Sequence, residues 1–148
     1  MELMKSELVT TVKTRITEKI SHLENLIAQT RESNTETKSS MGDKYETGRE
    51  MVQQEINNLQ RQLNETFQQQ ESVKRLNGHE CQNVDFGALV ETNIGLFYIS
   101  TAVGEIKMNG KKIITVSPES PLAKAMHGKK AGEEFIVNNL KQTIRQVW

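Results

Sequence analysis

Residues 8–27 read LVTTVKTRITEKISHLENLI, and this stretch decides the fold of the N-terminal half. Leu8, Val12, Ile16, Ile20, Leu23 and Ile27 step by 4, 4, 4, 3 and 4 residues, which returns each side chain to one face of an α-helix. Thr, Lys, Glu, Arg and Asn fill most of the other positions, so the helix carries one narrow apolar stripe. The pattern recurs in residues 52–67, VQQEINNLQRQLNETF, where Val52, Ile56, Leu59, Leu63 and Phe67 step by 4, 3, 4 and 4. Between them, residues 31–43, RESNTETKSSMGD, hold no apolar residue except Met41, and their Ser, Thr, Asn and Gly predict a turn. Neither stripe makes a core alone. Two antiparallel helices packed stripe to stripe around the turn satisfy both. A parallel dimeric coiled coil would need its heptad to continue through the polar break, and a larger helical bundle is the other way to cover such stripes. At ~1.5 Å per residue, arms of about 30 residues hold the turn on the order of 45 Å from their base.

Up to Leu76 the chain has no proline and only Gly42 and Gly48, while both prolines and the other seven glycines lie beyond. After Asn77-Gly78, a helix stop, the pattern changes to short apolar runs broken by Gly and Asn. Ala88–Val90, Gly95–Ser100, Lys112–Val116, Glu134–Val137 and Thr143–Val147 are predicted strands, antiparallel by their connection lengths, with turns at Asn93-Ile94-Gly95 and Met108-Asn109-Gly110-Lys111. One short helix is predicted over Ser120–Met126, opened by Ser120-Pro121 and stopped by Gly128. The expected architecture is α+β: a long antiparallel helical hairpin in residues 1–77, then a small antiparallel-sheet domain with one short helix in residues 78–148.

Composition bounds the function. Nineteen basic residues balance nineteen acidic ones across 148 residues, which gives no bulk-charge support for a broad nucleic-acid-binding surface. Hydrophobic residues make up 35% and the mean hydropathy is −0.60, too polar for one core to involve the whole chain, so an elongated shape is expected. Cys81 is the single cysteine, which excludes an internal disulfide and a multi-cysteine zinc site. MELMKSELVTT does not resemble a signal peptide and no run is long enough to span a bilayer; a cytoplasmic protein without a membrane partner is expected.

No nucleophile motif is visible. His79-Glu80-Cys81 lacks a second ligand pair and reads as linker. The turn is more informative, because Glu36, Lys38, Asp43, Lys44, Glu46, Arg49 and Glu50 crowd around Gly42. Asp43 suits the N-cap of the second helix and Glu46 its third position, a capping-box-like pair with a structural role. The same two carboxylates, three residues apart on a helix end, can share a hard cation such as Mg2+ if another protein supplies the remaining ligands.

Gly42-Asp43-Lys44-Tyr45-Glu46-Thr47 resembles the Gly-Asp-Leu-Ser-Glu-Asn tip signature of the Gre family of bacterial transcript cleavage factors, and VSPESPLAKAMHGKKAGEEFIV, Val116–Val137, resembles that family's C-terminal motif. Order and lengths of the halves agree, so the likeness covers nearly the whole chain. It implies a coiled coil that enters the secondary channel of bacterial RNA polymerase, and a C-terminal domain similar to FK506-binding proteins that docks at the channel rim. It further implies that Asp43 and Glu46 help hold the polymerase's second Mg2+, so that the polymerase hydrolyses the backtracked RNA. The isolated protein would then need no cofactor and be no enzyme, and it would meet the RNA 3′ end only indirectly. Glu119-Ser120-Pro121 occupies the family's polymerase-contacting position, with Glu for the commoner Asp; its structural role is helix initiation.

The tip departs from the family at Lys44, Tyr45 and Thr47-Gly48-Arg49-Glu50. Lys38, Lys44 and Arg49 either pair with RNA phosphate or acidic polymerase residues, or compensate the tip's own acids. The alternatives to a cleavage factor are a secondary-channel regulator without cleavage activity, a prolyl isomerase or chaperone, and a coiled-coil scaffold. A monomer is the simplest reading of an intramolecular hairpin.

Overall fold

A computed structural model of the protein describes residues 2–38 and 46–148. The chain divides into two units: one is Thr14–Glu71, the other joins Met1–Lys13 to Ser72–Trp148. The first turns of the N-terminal helix therefore pack with the sheet domain, although the sequence pattern groups residues 1–77 together.

The helical unit consists of α1, Glu2–Lys38, from Thr14 onward, and α2, Glu46–Val73, up to Glu71. Ile16, Ile20, Leu23 and Ile27 of α1 and Ile56, Leu59 and Leu63 of α2 are buried. These stripes are the unit's main apolar surfaces, so each is covered by the other. A seven-residue connection, 39–45, spans at most about 25 Å, too short to return along a helix the length of α2, which makes the pair antiparallel. Each buried stripe residue contributes about 1.5–3 kcal/mol.

Two details correct the sequence pattern. Phe67 is exposed, and Thr66 takes the buried position that follows Leu63, its hydroxyl donating to the Gln62 carbonyl at 2.7 Å. The buried row Ile56, Leu59, Leu63, Thr66 steps by 3, 4 and 3, the spacing of a coiled-coil seam, and Phe67 falls outside it. The turn expected over residues 31–43 is helical as far as Lys38. Glu, Lys and Arg sustain a helix without an apolar stripe, so polarity alone did not mark the end.

The other unit is built on six strands: β1 Leu89–Thr92, β2 Gly95–Ile99, β3 Glu105–Met108, β4 Lys111–Val116, β5 Glu134–Val137 and β6 Leu140–Val147, in the order β3-β4-β2-β1-β6-β5. Asn109 and Gly110, and Asn138 and Asn139, all have positive φ, the geometry of tight type I′ hairpins, and they close β3–β4 and β5–β6. β6 is shared in halves: Leu140–Thr143 pairs with β5, and Ile144–Val147 with β1.

The expectation of an all-antiparallel sheet fails at one pair, since β2 and β4 run parallel. The unpredicted strand β3 explains it. The chain passes from β2 to the sheet edge, makes β3, and returns as β4 between β3 and β2, a connection long enough for a parallel crossover. Thr115 pins this crossover, donating to the Gly104 carbonyl at 2.7 Å and accepting from Val103 N–H at 2.9 Å.

The centre of the sheet is buried on both faces. On one, Val90, Ile99 and Ile144 pack with Val84, Phe135 and the residues Ala123 and Met126 of α3, Pro121–Met126. On the other, Leu89, Leu96, Tyr98, Ile106 and Ile113 are buried in a unit that also holds the buried Met4, Leu8, Val9 and Val12 of α1. Among the described residues no helix is long and apolar enough to cross a membrane.

Candidate docking cleft and helix ends

The tip residues divide by position. Lys38 is the last residue of α1 and Glu46 the first of α2. Asp43 and Lys44 lie outside the described residues, as do the side chains of Lys38 and Glu46. Arg49 stands in the first turn of α2, half-buried, with its Nε shielded from solvent and without a hydrogen-bond partner.

Glu119, Ser120 and Pro121 are described in full. Ser120 is the N-cap of α3: its Oγ accepts from Ala123 N–H at 3.1 Å, and Pro121 takes the first helical turn, where its missing N–H costs nothing. The sequence expectation of a helix start is met. Glu119 is exposed beside it.

Ser120 and Pro121 also border an open cleft of about 360 Å³, lined by Ile94, Phe97, Leu122, Val137, Asn138, Leu140 and Gln142. Three parts of the chain build it: the β1–β2 hairpin supplies Ile94 and Phe97, the β5–β6 hairpin supplies Val137, Asn138, Leu140 and Gln142, and the start of α3 supplies Ser120, Pro121 and Leu122. Ile94 is 61% exposed and Leu140 64%, large apolar side chains left in water. Gln142 is only 4% exposed, and its Oε1 is buried without a hydrogen-bond partner. A buried acceptor left unsatisfied costs about 1–3 kcal/mol. The cleft thus offers mainly apolar surface. Sequence reading found Ser120 and Pro121 and missed Ile94, Leu140 and Gln142. The available signal was an apolar residue inside each of two tight turns, at Ile94 and beside Asn138-Asn139.

One ion pair lies near the cleft. Lys141 Nζ lies 2.8 Å from Glu134 across the β5–β6 pair, and this hydrogen bond holds the exposed ammonium above its usual pKa. Phe97, itself only 5% exposed, is the aromatic residue that lines the cleft.

His79-Glu80-Cys81 lies in the irregular segment between α2 and β1. It holds a contact that no sequence pattern announced: the fully buried Lys5 of α1 donates to the His79 carbonyl and points Nζ at Cys81 Sγ, 3.8 Å away.

No protein-family model matches the chain, and no curated protein does. Among solved structures it is similar to one described as the structure of the transcription factor Gfh1, at 16% identity and a TM-score of 0.39, covering 90% of each chain. A second, the GreA factor homolog 1 (Gfh1) protein of Thermus thermophilus, is 14% identical with a TM-score of 0.39, covering 92% of this chain and 94% of that one.

Proposed function

We propose that this protein is a transcription elongation factor of the Gre type, which binds bacterial RNA polymerase through its secondary channel and stimulates the polymerase's own cleavage of backtracked RNA. One observation carries the reading. Ser120 and Pro121, which the sequence resemblance marks for polymerase contact, border an open apolar cleft with a buried, unpaired acceptor at Gln142. A paired set of long helices whose junction holds Asp43 and Glu46 supports the second half of the proposal.

The division of labour follows. The cleft and Glu119 dock the chain on the polymerase. The helical pair carries the two carboxylates to the polymerase's active centre, where they help hold its second Mg2+; with two metals in place, both the attacking water and the leaving oxygen are stabilised. Lys38, Lys44 and Arg49 assist at the tip by pairing with RNA phosphate or polymerase acids. The isolated protein needs no cofactor of its own and works as a monomer, and the chemistry belongs to the polymerase.

A channel regulator without cleavage activity is the second reading, favoured by Lys44, Tyr45 and Thr47-Gly48-Arg49 where the family has a different tip. A prolyl pocket is disfavoured, because Phe97 is the cleft's single aromatic lining residue. The deciding experiment incubates the protein with a stalled, backtracked elongation complex and Mg2+. Shortened RNA is expected; binding without shortening would replace the cleavage reading by the regulator, and no binding would remove both.

A further inference from the structure

The strongest chemistry outside the cleft is the Lys5–Cys81 pair. Long cationic side chains are rarely buried completely, because desolvating an ammonium is costly. Lys5 nevertheless has no solvent exposure, and its Nζ has two neighbours, the His79 carbonyl and Cys81 Sγ at 3.8 Å. Burial holds the ammonium below its usual pKa, with Cys81 and Glu80 opposing the shift, so the neutral, nucleophilic amine is more accessible than at a surface lysine. Tyr98 belongs to the same interior: its hydroxyl is buried without a hydrogen-bond partner, and burial together with the nearby Cys81 pushes its pKa up, so it stays a neutral phenol. Cys81 itself is only partly buried, at the margin of the core it packs against.

An oxidised cysteine is ordinarily resolved by a second thiol. This chain has none, and the Lys5 amine stands 3.8 Å from the sulfur. We propose that Cys81 and Lys5 form an oxidative modification site, in which peroxide converts the thiol to a sulfenic acid and the Lys5 amine then closes a sulfur–nitrogen bond to it. In the first step Sγ attacks one peroxide oxygen, the O–O bond breaks, sulfur is oxidised by two electrons and water leaves. In the second, Nζ attacks Sγ, the S–O bond breaks, and the departing hydroxide takes an amine proton and leaves as a second water. Oxidation state does not change in the second step. The product ties the first turns of α1 to the segment before β1, within one unit. A thiol reductant reopens it.

The test treats the full chain with hydrogen peroxide and follows intact mass, then maps the digest. The expected product has lost two hydrogens relative to the reduced protein, yields the Lys5 and Cys81 peptides joined, and reverts with a thiol. Lys5→Met keeps the length and burial of the side chain and removes the amine. In that variant, checked for folding by circular dichroism, Cys81 should stop at the sulfenic acid and be trapped by a carbon nucleophile. The proposal is overturned if wild-type Cys81 gains oxygen with no joined peptide, or if a disulfide between two chains is the main product.

Discussion

The two units solve burial in opposite ways. In the helical unit each stripe has one partner, so Ile16, Ile20, Leu23 and Ile27 are covered by a single row on α2. In the sheet unit the central strands β1 and β2 carry buried residues on both faces, Val90 and Ile99 in the cluster with α3 and Leu89, Leu96 and Tyr98 on the other. A one-layer interface leaves the helices little beyond length to contribute, which suits the tip delivery proposed for them. A sheet packed on α3 holds the segments that line the cleft, which suits the docking proposed for it. Reach and grip belong to different physics.

The largest stability effect is expected in the sheet core. Ile144→Ala removes a fully buried side chain shared by the α3 face and the β1–β6 seam, and should cost about 2–5 kcal/mol. Hydrogen exchange should show faster opening of the sheet amides with the helical amides of residues 14–71 less affected; equal acceleration of both would dissolve the two-unit comparison. Leu63→Ala is the converse experiment. It should cost about 2–3 kcal/mol, toward the lower end for such truncations because a single-layer interface relaxes more freely, and its effect should centre on the helical amides.

A smaller effect separates capping from docking. Ser120→Ala loses the bond to Ala123 N–H and should lower stability by about 1 kcal/mol. Leu140→Lys, at an exposed position, should change stability by less than about 0.5 kcal/mol while weakening polymerase binding about tenfold. Measuring both properties for both variants shows whether the cleft residues bind as the proposal requires.

The subtlest expectation is a pH dependence. Lys5 holds its proton less tightly when folded, so between its lowered pKa and the usual 10.5 the unfolded chain carries more protons and stability from this group rises with pH. Tyr98 has the opposite sign, because its raised pKa makes the folded chain keep a proton that the unfolded one loses above about 10. The difference between wild type and Lys5→Met in urea titrations across this range isolates the lysine, and no difference in slope would remove its burial cost from the account.

What the sequence made legible follows the same division. The α1 stripe from Leu8 to Ile27 is buried throughout, as is the α2 row from Ile56 to Leu63, because a helix repeats its geometry and periodicity is a local property. The Asn109-Gly110 turn and the Ser120-Pro121 helix start were legible because both residue types have strong backbone preferences. β3 was not: Glu-Ile-Lys-Met is short, charged and at an edge, so it carries only one buried residue as a signal. The parallel β2–β4 pair depends on β3 and was hidden with it. The cleft joins residues from position 94 to position 142, and no local pattern brings them together. Lys5 entered no stripe; as a polar residue beside Met4 and Leu8, it was placed in the interior by tertiary packing.

The most direct test of the account measures RNA cleavage in backtracked complexes over a range of protein concentrations, comparing wild type with Leu140→Lys and with the Asp43→Asn/Glu46→Gln double variant. Leu140→Lys should reach wild-type cleavage once enough protein is added, because only grip is weakened, whereas the tip variant should bind normally and cleave nothing at any concentration. If both variants fail in the same way, or if the tip variant still cleaves, tip and cleft do not divide the work as proposed.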